Sequence, residues 1–201
     1  MIQVFHYGNI MKQIINSAKS KNYGVIKHLI SSINLDEQSK NIIPVSHQEY
    51  HKKEVGEEHY KLLAYISKIF SEKTLFDIGT YLGNSSLALA YNSSTKVISY
   101  DIANYRAINQ LPDNVEYKIG DFRNDPKLLQ SPFILIDVDP HDGIQEQAFH
   151  TFFLENNYKG IVMWDDINLQ YMRPWWNSIT NVYKYDITPI GHHSGTGLIV
   201  Y

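Results

Sequence analysis

Cysteine is absent from the chain. That removes disulfides, thiolate metal ligands, a thiol nucleophile and thiol redox sensing in one step. Excess charge of either sign is also small. The 18 Lys and Arg residues against 21 Asp and Glu leave a formal net charge of −3. No general basic field is available to hold a polyanion, so a nucleic-acid partner is not expected. No apolar run approaches the roughly 18 residues of a membrane span. The opening MIQVFHYGNIMKQII has no apolar stretch of signal-peptide length. A cytoplasmic protein without a membrane partner is the expectation. Repeats and low-complexity tracts are missing too. What is present is 201 residues, 43% of them apolar, which suits a domain with a sizeable core.

The pattern divides near residue 56. Before it, Ile10, Ile14, Ile15 and Ala18 recur at helical spacing, as do Ile26, Leu29, Ile30 and Ile33 after Gly24. The spacing predicts two short helices, then an irregular stretch over 34–56. Residues 1–56 read as a helical extension that serves as a lid or a homodimer contact, a reading by fold-level analogy. Residues 57–70 predict a helix with Leu62, Leu63, Ile66, Ile69 and Phe70 on one face. From Thr74 onward short apolar runs alternate with helical patterns. Strands are expected at 74–78, 96–101, 115–119, 133–137 and 161–164, and helices at 85–91, from 101 to about 110, from 144 to about 153, and at 171–179. Two further strands, 181–188 and 196–201, lack an intervening helix and should pair antiparallel. This is the grammar of an α/β fold, a mostly parallel sheet with helices on both faces.

In such a sheet ligands bind beyond the carboxyl ends of the strands. The first strand runs into Asp77-Ile78-Gly79-Thr80-Tyr81-Leu82-Gly83-Asn84-Ser85. Its glycines permit a sharp turn and close backbone approach, and Asn84 or Ser85 suits the cap of the next helix. The second strand ends in Asp101, placed to accept both hydroxyls of a ribose. The third ends in Gly120-Asp121-Phe122, a carboxylate beside an aromatic ring that suits an adenine. The fourth leads into Asp137-Val138-Asp139-Pro140-His141-Asp142, and the fifth into Asp165-Asp166. Carboxylates crowded at neighbouring strand tips raise one another's pKa values, and a hard divalent cation such as Mg²⁺ relieves this.

DIGTYLGNSS, YDI, IGDF and ILIDVD, in this order, resemble the motif series of class I S-adenosylmethionine-dependent methyltransferases. The likeness covers about residues 57–201. It implies a Rossmann-like seven-stranded sheet with an antiparallel last strand. It also implies S-adenosylmethionine contacts at Asp77, Gly79, Thr80, Gly83, Ser85, Asp101, Ile102, Asp121, Phe122 and Asp137. Asp77, Gly79 and Ser85 would lie by the methionyl part, Asp101 by the ribose, and Asp121 with Phe122 by the adenine. The spaced first loop, G-x-x-x-G, disfavours a nicotinamide dehydrogenase.

D-x-D after the fourth strand and D-D after the fifth are similar to metal-dependent small-molecule and sugar O-methyltransferases. That likeness implies Asp137, Asp165 and Asp166 as ligands of Mg²⁺ or a similar divalent cation, and Asp139 as general base. Catechol-type and caffeoyl-type relatives carry a lysine after the fourth strand, where this chain has Pro140 and His141. The base therefore stays open between Asp139 and His141. Three other classes are disfavoured: cytosine C5 methylation by the missing cysteine, amino methylation of nucleic acids by the missing Pro-Pro-aromatic loop, and arginine methylation by the missing paired-glutamate loop. The expectation is an O-methyltransferase acting on a hydroxylated small molecule such as a sugar or polyol. A metal-independent enzyme with His141 or an Asp as base, and a non-catalytic binder of S-adenosylmethionine, are its rivals.

Some residues carry weaker signals. Gly191-His192-His193-Ser194-Gly195 reads as a hairpin loop with solvated histidines, with contact to substrate or a softer metal as the rival reading. Trp175 and Trp176 suit a pocket wall, core packing or an interface. Tyr81 suits a cover for the cofactor or packing on the next helix. His47, His51 and His59 lack ligand spacing and read as surface residues.

Overall fold

The computed structural model describes residues 9–42, 45–53, 59–108 and 110–201. Seven strands form one sheet in the order β3-β2-β1-β4-β5-β7-β6. They are β1 (Thr74–Ile78), β2 (Lys96–Asp101), β3 (Val115–Ile119), β4 (Phe133–Ile136), β5 (Ile161–Asp165), β6 (Tyr183–Asp186) and β7 (Thr196–Val200). β1 to β5 pair in parallel, and β7 lies antiparallel between β5 and β6. The expected α/β architecture is therefore the observed one. Eight α-helices accompany the sheet among the described residues: α1 (Asn9–Ser20), α2 (Gly24–Ser31), α3 (Asp36–Ser39), α4 (Val45–Gln48), α5 (Tyr60–Ile69), α6 (Asn84–Leu89), α7 (Ile144–Glu155) and α8 (Met172–Ser178). None is long and apolar enough to cross a membrane.

Successive strand residues point to opposite faces, and the two cores follow that parity. Leu75, Val97, Leu135, Met163 and Leu198 face one side, where α1, α2, α5 and α6 pack. Phe76, Ile98, Ile136, Trp164 and Ile199 face the other, with Phe153 of α7 and Met172, Trp175 and Trp176 of α8. Both faces are covered, so the central strands read as unbroken apolar runs. Trp175 stacks edge-on against Trp164 at 4.9 Å between ring centres. Both tryptophans of α8 are core residues. Met11, Ile14, Ile26 and Ile30 share the first cluster with α5. The Tyr23 hydroxyl donates to the Asp186 carbonyl of β6, 2.9 Å away.

Three expectations need correction. The helix expected after Asp101 is absent: residues 102–107 are bends and coil. Tertiary contacts claim that backbone instead. The Ala103 carbonyl accepts from the Tyr117 hydroxyl (2.8 Å), the Ala107 N–H donates to Leu82 O (3.1 Å), and Ile108 bridges antiparallel to Ile42. The stretch after Asn34 is not wholly irregular, since it holds α3, α4 and a 3-10 turn at Tyr50–Lys52; residues 43–44 and 54–58 lie outside the described residues. Finally, α5 is buried almost all round, because α1 and α2 cover its outer side. His59, one residue before it, is buried against Asp165 and His192, and His51 is buried too, its Nε2 3.2 Å from the Asn84 carbonyl. Burial pushes the His51 imidazole down to about 4.

Candidate active site

The carboxyl ends of β1, β2, β4 and β5 carry the candidate residues. β1 leaves the sheet through Gly79, at φ +84°. A Cβ there would stand 1.8 Å from the Asp137 carbonyl oxygen, so only glycine fits where the turn crosses the tip of β4. Gly83, at φ +97°, caps α6, and Ile108 fills the space a side chain would need. Asn84 and Ser85 thus lie inside the helix rather than capping it. Ser85 Oγ instead donates to Asp77 Oδ2 at 3.1 Å, as Ser99 Oγ does at 3.0 Å, and Thr80 Oγ1 lies 3.2 Å from Ser85 Oγ. Asp77 is fully buried, and its Oδ1 has no hydrogen-bond partner. Burial raises its carboxyl to about 6, against the pull of the hydroxyls of Thr80, Ser85 and Ser99. A buried carboxylate with one oxygen unsatisfied is costly unless a ligand completes it.

Asp101 lies beside this turn. Its Oδ2 accepts from the Tyr81 N–H at 2.8 Å and its Oδ1 from the Ile102 N–H at 2.7 Å. Each carboxylate oxygen has a second lone pair available for a hydroxyl. Ile102 is 82% exposed and Tyr81 58%, with the Tyr81 ring 5.6 Å from that of Tyr105. Tyr81 therefore packs on the 102–107 segment rather than on α6.

The third strand end differs from expectation. Phe122 turns its ring into the second core against Phe149, centroids 4.8 Å apart, and offers no face to a ligand. A large apolar ring beside an open edge is more stable packed than wet. Asp121 stays exposed, accepts from the Arg123 N–H at 3.0 Å, and pairs with its guanidinium at 2.6 Å, which holds the carboxyl below the usual range.

The acids of β4 and β5 divide into two groups. His141 Nε2 lies 3.2 Å from Asp139, 3.5 Å from Asp166 and 4.0 Å from Asp137. Donor atoms of Asp137, His141 and Asp166 all fall within 4.8 Å of one another, a spacing that suits a shared cation. Burial, then the charges of Asp165 and Asp166, raise the Asp137 carboxyl well above its usual value, with His59 opposing. Asp139 is almost wholly exposed. Asp165, expected in the same cluster, lies beside it but groups instead with His59 and His192, the latter's Nδ1 lying 3.5 Å from both Asp165 and Asp166. Asp165 Oδ1 lies 3.4 Å from His59 Nδ1 and its Oδ2 3.5 Å from His192 Nδ1. Strand parity is the reason: Asp165 continues the row of Ile161 and Met163 toward the α5 face, and the chain turns at Asp166, φ +61°. Burial works against ionised Asp165, but the two imidazoles outweigh it and hold the carboxyl below the usual range. His192 is thus a partner of Asp165 rather than a solvated loop residue. Ser194 Oγ donates to Asp166 Oδ1 and sits 2.6 Å from His192 Nδ1.

Tyr81, His141 and Asp166 all have positive φ without being glycine. Such backbone is costly and gathers at functional turns. Two grooves, of about 450 and 580 Å³, open at the other end of the sheet, beside Tyr158 and Tyr201 and beside Lys96 and Asn114, away from every candidate residue.

The fold has known counterparts. The O-methyltransferase TomG of Streptomyces achromogenes, involved in tomaymycin synthesis and solved with SAM, matches with a TM-score of 0.55 over 100% of this chain and 99% of its own, at 15% identity. The SAH-bound methyltransferase PaMTH1 of Podospora anserina matches at 0.54, covering 100% and 99%, with 14% identity. An O-methyltransferase from Bacillus cereus, solved with SAH, matches at 0.51, covering 99% and 94%, with 15% identity. The chain has the class I S-adenosylmethionine-dependent methyltransferase fold. No family model and no curated protein matches the sequence. Within the methyltransferase fold, the glycine turn, Asp101 and the acids of β4 and β5 occupy one edge.

Proposed function

We propose that the protein is an S-adenosylmethionine-dependent O-methyltransferase that acts on a hydroxyl of a small molecule and is assisted by a divalent cation. The observation that carries this reading is the contact of Gly79 with the Asp137 carbonyl. It puts the turn suited to the cofactor directly against the first acid of the reactive cluster. The residues fit the cofactor: Asp77 keeps a buried, unpartnered Oδ1, and the exposed Ile102 flanks Asp101. They also fit a hard cation, since Asp137 and Asp166 converge and the crowding is already felt at Asp137.

S-adenosylmethionine, when bound, supplies a methyl group on a sulfonium, already activated toward an oxygen nucleophile. A cation held by Asp137 and Asp166 supplies positive charge that lowers the pKa of a nearby hydroxyl. The chain's own residues do the rest. Asp101 accepts from ribose hydroxyls while holding Tyr81 and Ile102 in place. His141 takes the hydroxyl proton, and Asp139, 3.2 Å from its Nε2, stabilises the imidazolium. An imidazole is better matched to neutral pH than the exposed carboxylate of Asp139. A polyol or sugar with adjacent hydroxyls suits such a site, because two oxygens fix which one reacts.

A metal-independent reaction is the second reading. One observation supports it: His141 Nε2 lies within 4.0 Å of three acids, so its protonated form supplies positive charge among them without a cation. Calorimetry with S-adenosylhomocysteine, with and without Mg²⁺, followed by turnover on a hydroxylated small-molecule library, separates the cases. The proposal expects cofactor binding and Mg²⁺-dependent methyl transfer that Asp166→Asn abolishes while cofactor affinity holds. Full activity in excess chelator favours the second reading. Binding without turnover on any acceptor leaves a non-catalytic S-adenosylmethionine binder.

A further inference from the structure

We propose that His59, Asp165 and His192 form a binding site for a first-row transition cation of the zinc type, adjacent to the Asp137–His141–Asp166 cluster, whose Asp166 Oδ1 also lies 3.5 Å from His192 Nδ1. The site goes beyond methyl transfer and stands without it. His59 precedes α5, Asp165 ends β5, and His192 lies in the loop before β7; their donor atoms all fall within 4.8 Å of one another. The side chains of His59 and Asp165 are 3% and 4% exposed, and that of His192 is 21% exposed.

The donor set decides the type of ion. Two imidazoles and one carboxylate suit zinc, iron or nickel, whereas carboxylate-rich sites suit magnesium. The neighbouring cluster has the opposite make-up, two carboxylates to one imidazole. The spacing agrees. The carboxylate oxygens of Asp165 lie 3.4 and 3.5 Å from the two imidazole nitrogens. A charge-assisted N–H···O bond would be about 2.7–2.9 Å. One donor atom from each of the three residues lies within 4.8 Å of the other two, close enough for a single ion to draw them into its coordination shell. His192 Nδ1 also lies 2.6 Å from the Ser194 hydroxyl, which donates to Asp166. A cation takes the place of the imidazole proton there, and that proton leaves to solvent. Three protein donors leave a fourth position for water, and the ion ties three distant segments together at the tip of β5.

The full chain, stripped with chelator, is titrated with Zn²⁺ by calorimetry and with Co²⁺ by visible absorption, in millimolar Mg²⁺. The expected result is one Zn²⁺ per chain that Mg²⁺ does not displace, with the Co²⁺ bands of a four-coordinate site. A Tm rise on the order of 5–10 °C is expected at a hundredfold excess over Kd. His59→Gln and His192→Gln should each weaken Zn²⁺ binding by about 100-fold or more, while Asp137→Asn, which alters a neighbouring charge but removes no donor, weakens it by less than either. His192 is a loop residue, so its variant decides the matter if His59→Gln does not fold. Absence of saturable Zn²⁺ binding, affinity unchanged in His192→Gln, or a larger loss in Asp137→Asn than in His192→Gln would overturn the proposal.

Discussion

The two halves of the carboxyl edge are built on different principles. The β1–β2 half is backbone work. Gly79 and Gly83 turn where no side chain fits, and Asp101 grips N–H groups of Tyr81 and Ile102. The β4–β5 half is side-chain charge work, assembled from His59, Asp137, His141, Asp165, Asp166 and His192 on four separate segments. A site made from local backbone geometry keeps its shape over a wide range of pH. One made from imidazoles facing carboxylates changes with every proton or cation it takes up.

That contrast can be broken by substitution. His141→Ala strikes the charged half and should lower kcat by about 10²–10⁴-fold, the usual worth of a general base, with S-adenosylhomocysteine affinity little changed. A variant with full turnover would remove His141 from the chemistry. Gly79→Ala strikes the backbone half. A methyl 1.8 Å from a carbonyl oxygen cannot be housed without moving β1 or β4, and a stability loss of about 3 kcal/mol or more is expected in urea melts. A loss below about 1 kcal/mol would mean the turn has slack.

Asp77 sharpens the comparison, because it is the one strongly shifted titrating group in the backbone half. Burial pushes its carboxyl up from the ordinary 3.8 to about 6. The native state therefore binds the proton more tightly, so the contribution is fully present below about 3.8 and lost as pH rises through 6. The swing is about 3 kcal/mol. Asp77→Asn should flatten that dependence, gain about 1–3 kcal/mol at pH 8 without ligand, and weaken cofactor binding. Parallel pH–stability curves for the two proteins would refute the assignment. The smallest effect is Asp101→Asn. It keeps one acceptor oxygen but loses charge, and should cost about tenfold in cofactor affinity, read by calorimetry, with no change in the pH profile of turnover.

Legibility in the sequence follows the same divide. Strands showed through as apolar runs, and the acids at their ends could be named because each belongs to a local strand–turn pattern. The helix expected after Asp101 failed because Tyr117, Leu82 and Ile42, far along the chain, claim that backbone. Nothing local to Phe122 or His59 reveals that Phe149 will cover the one, or Asp165 and His192 the other. His59 and Asp165 meet across a spacing that no motif encodes. Adjacent residues at a strand end point to opposite faces, and it is the turn at Asp166, φ +61°, that lets Asp165 and Asp166 both come within 3.5 Å of His192 Nδ1.

The oxygen of Asp137 that rests against Gly79 leaves no play between the two halves. A displacement at the tip of β4 is felt one atom away in the bend after β1. Occupancy on either side should therefore register on the other as a change in fit, with no helix having to swing and no loop having to close.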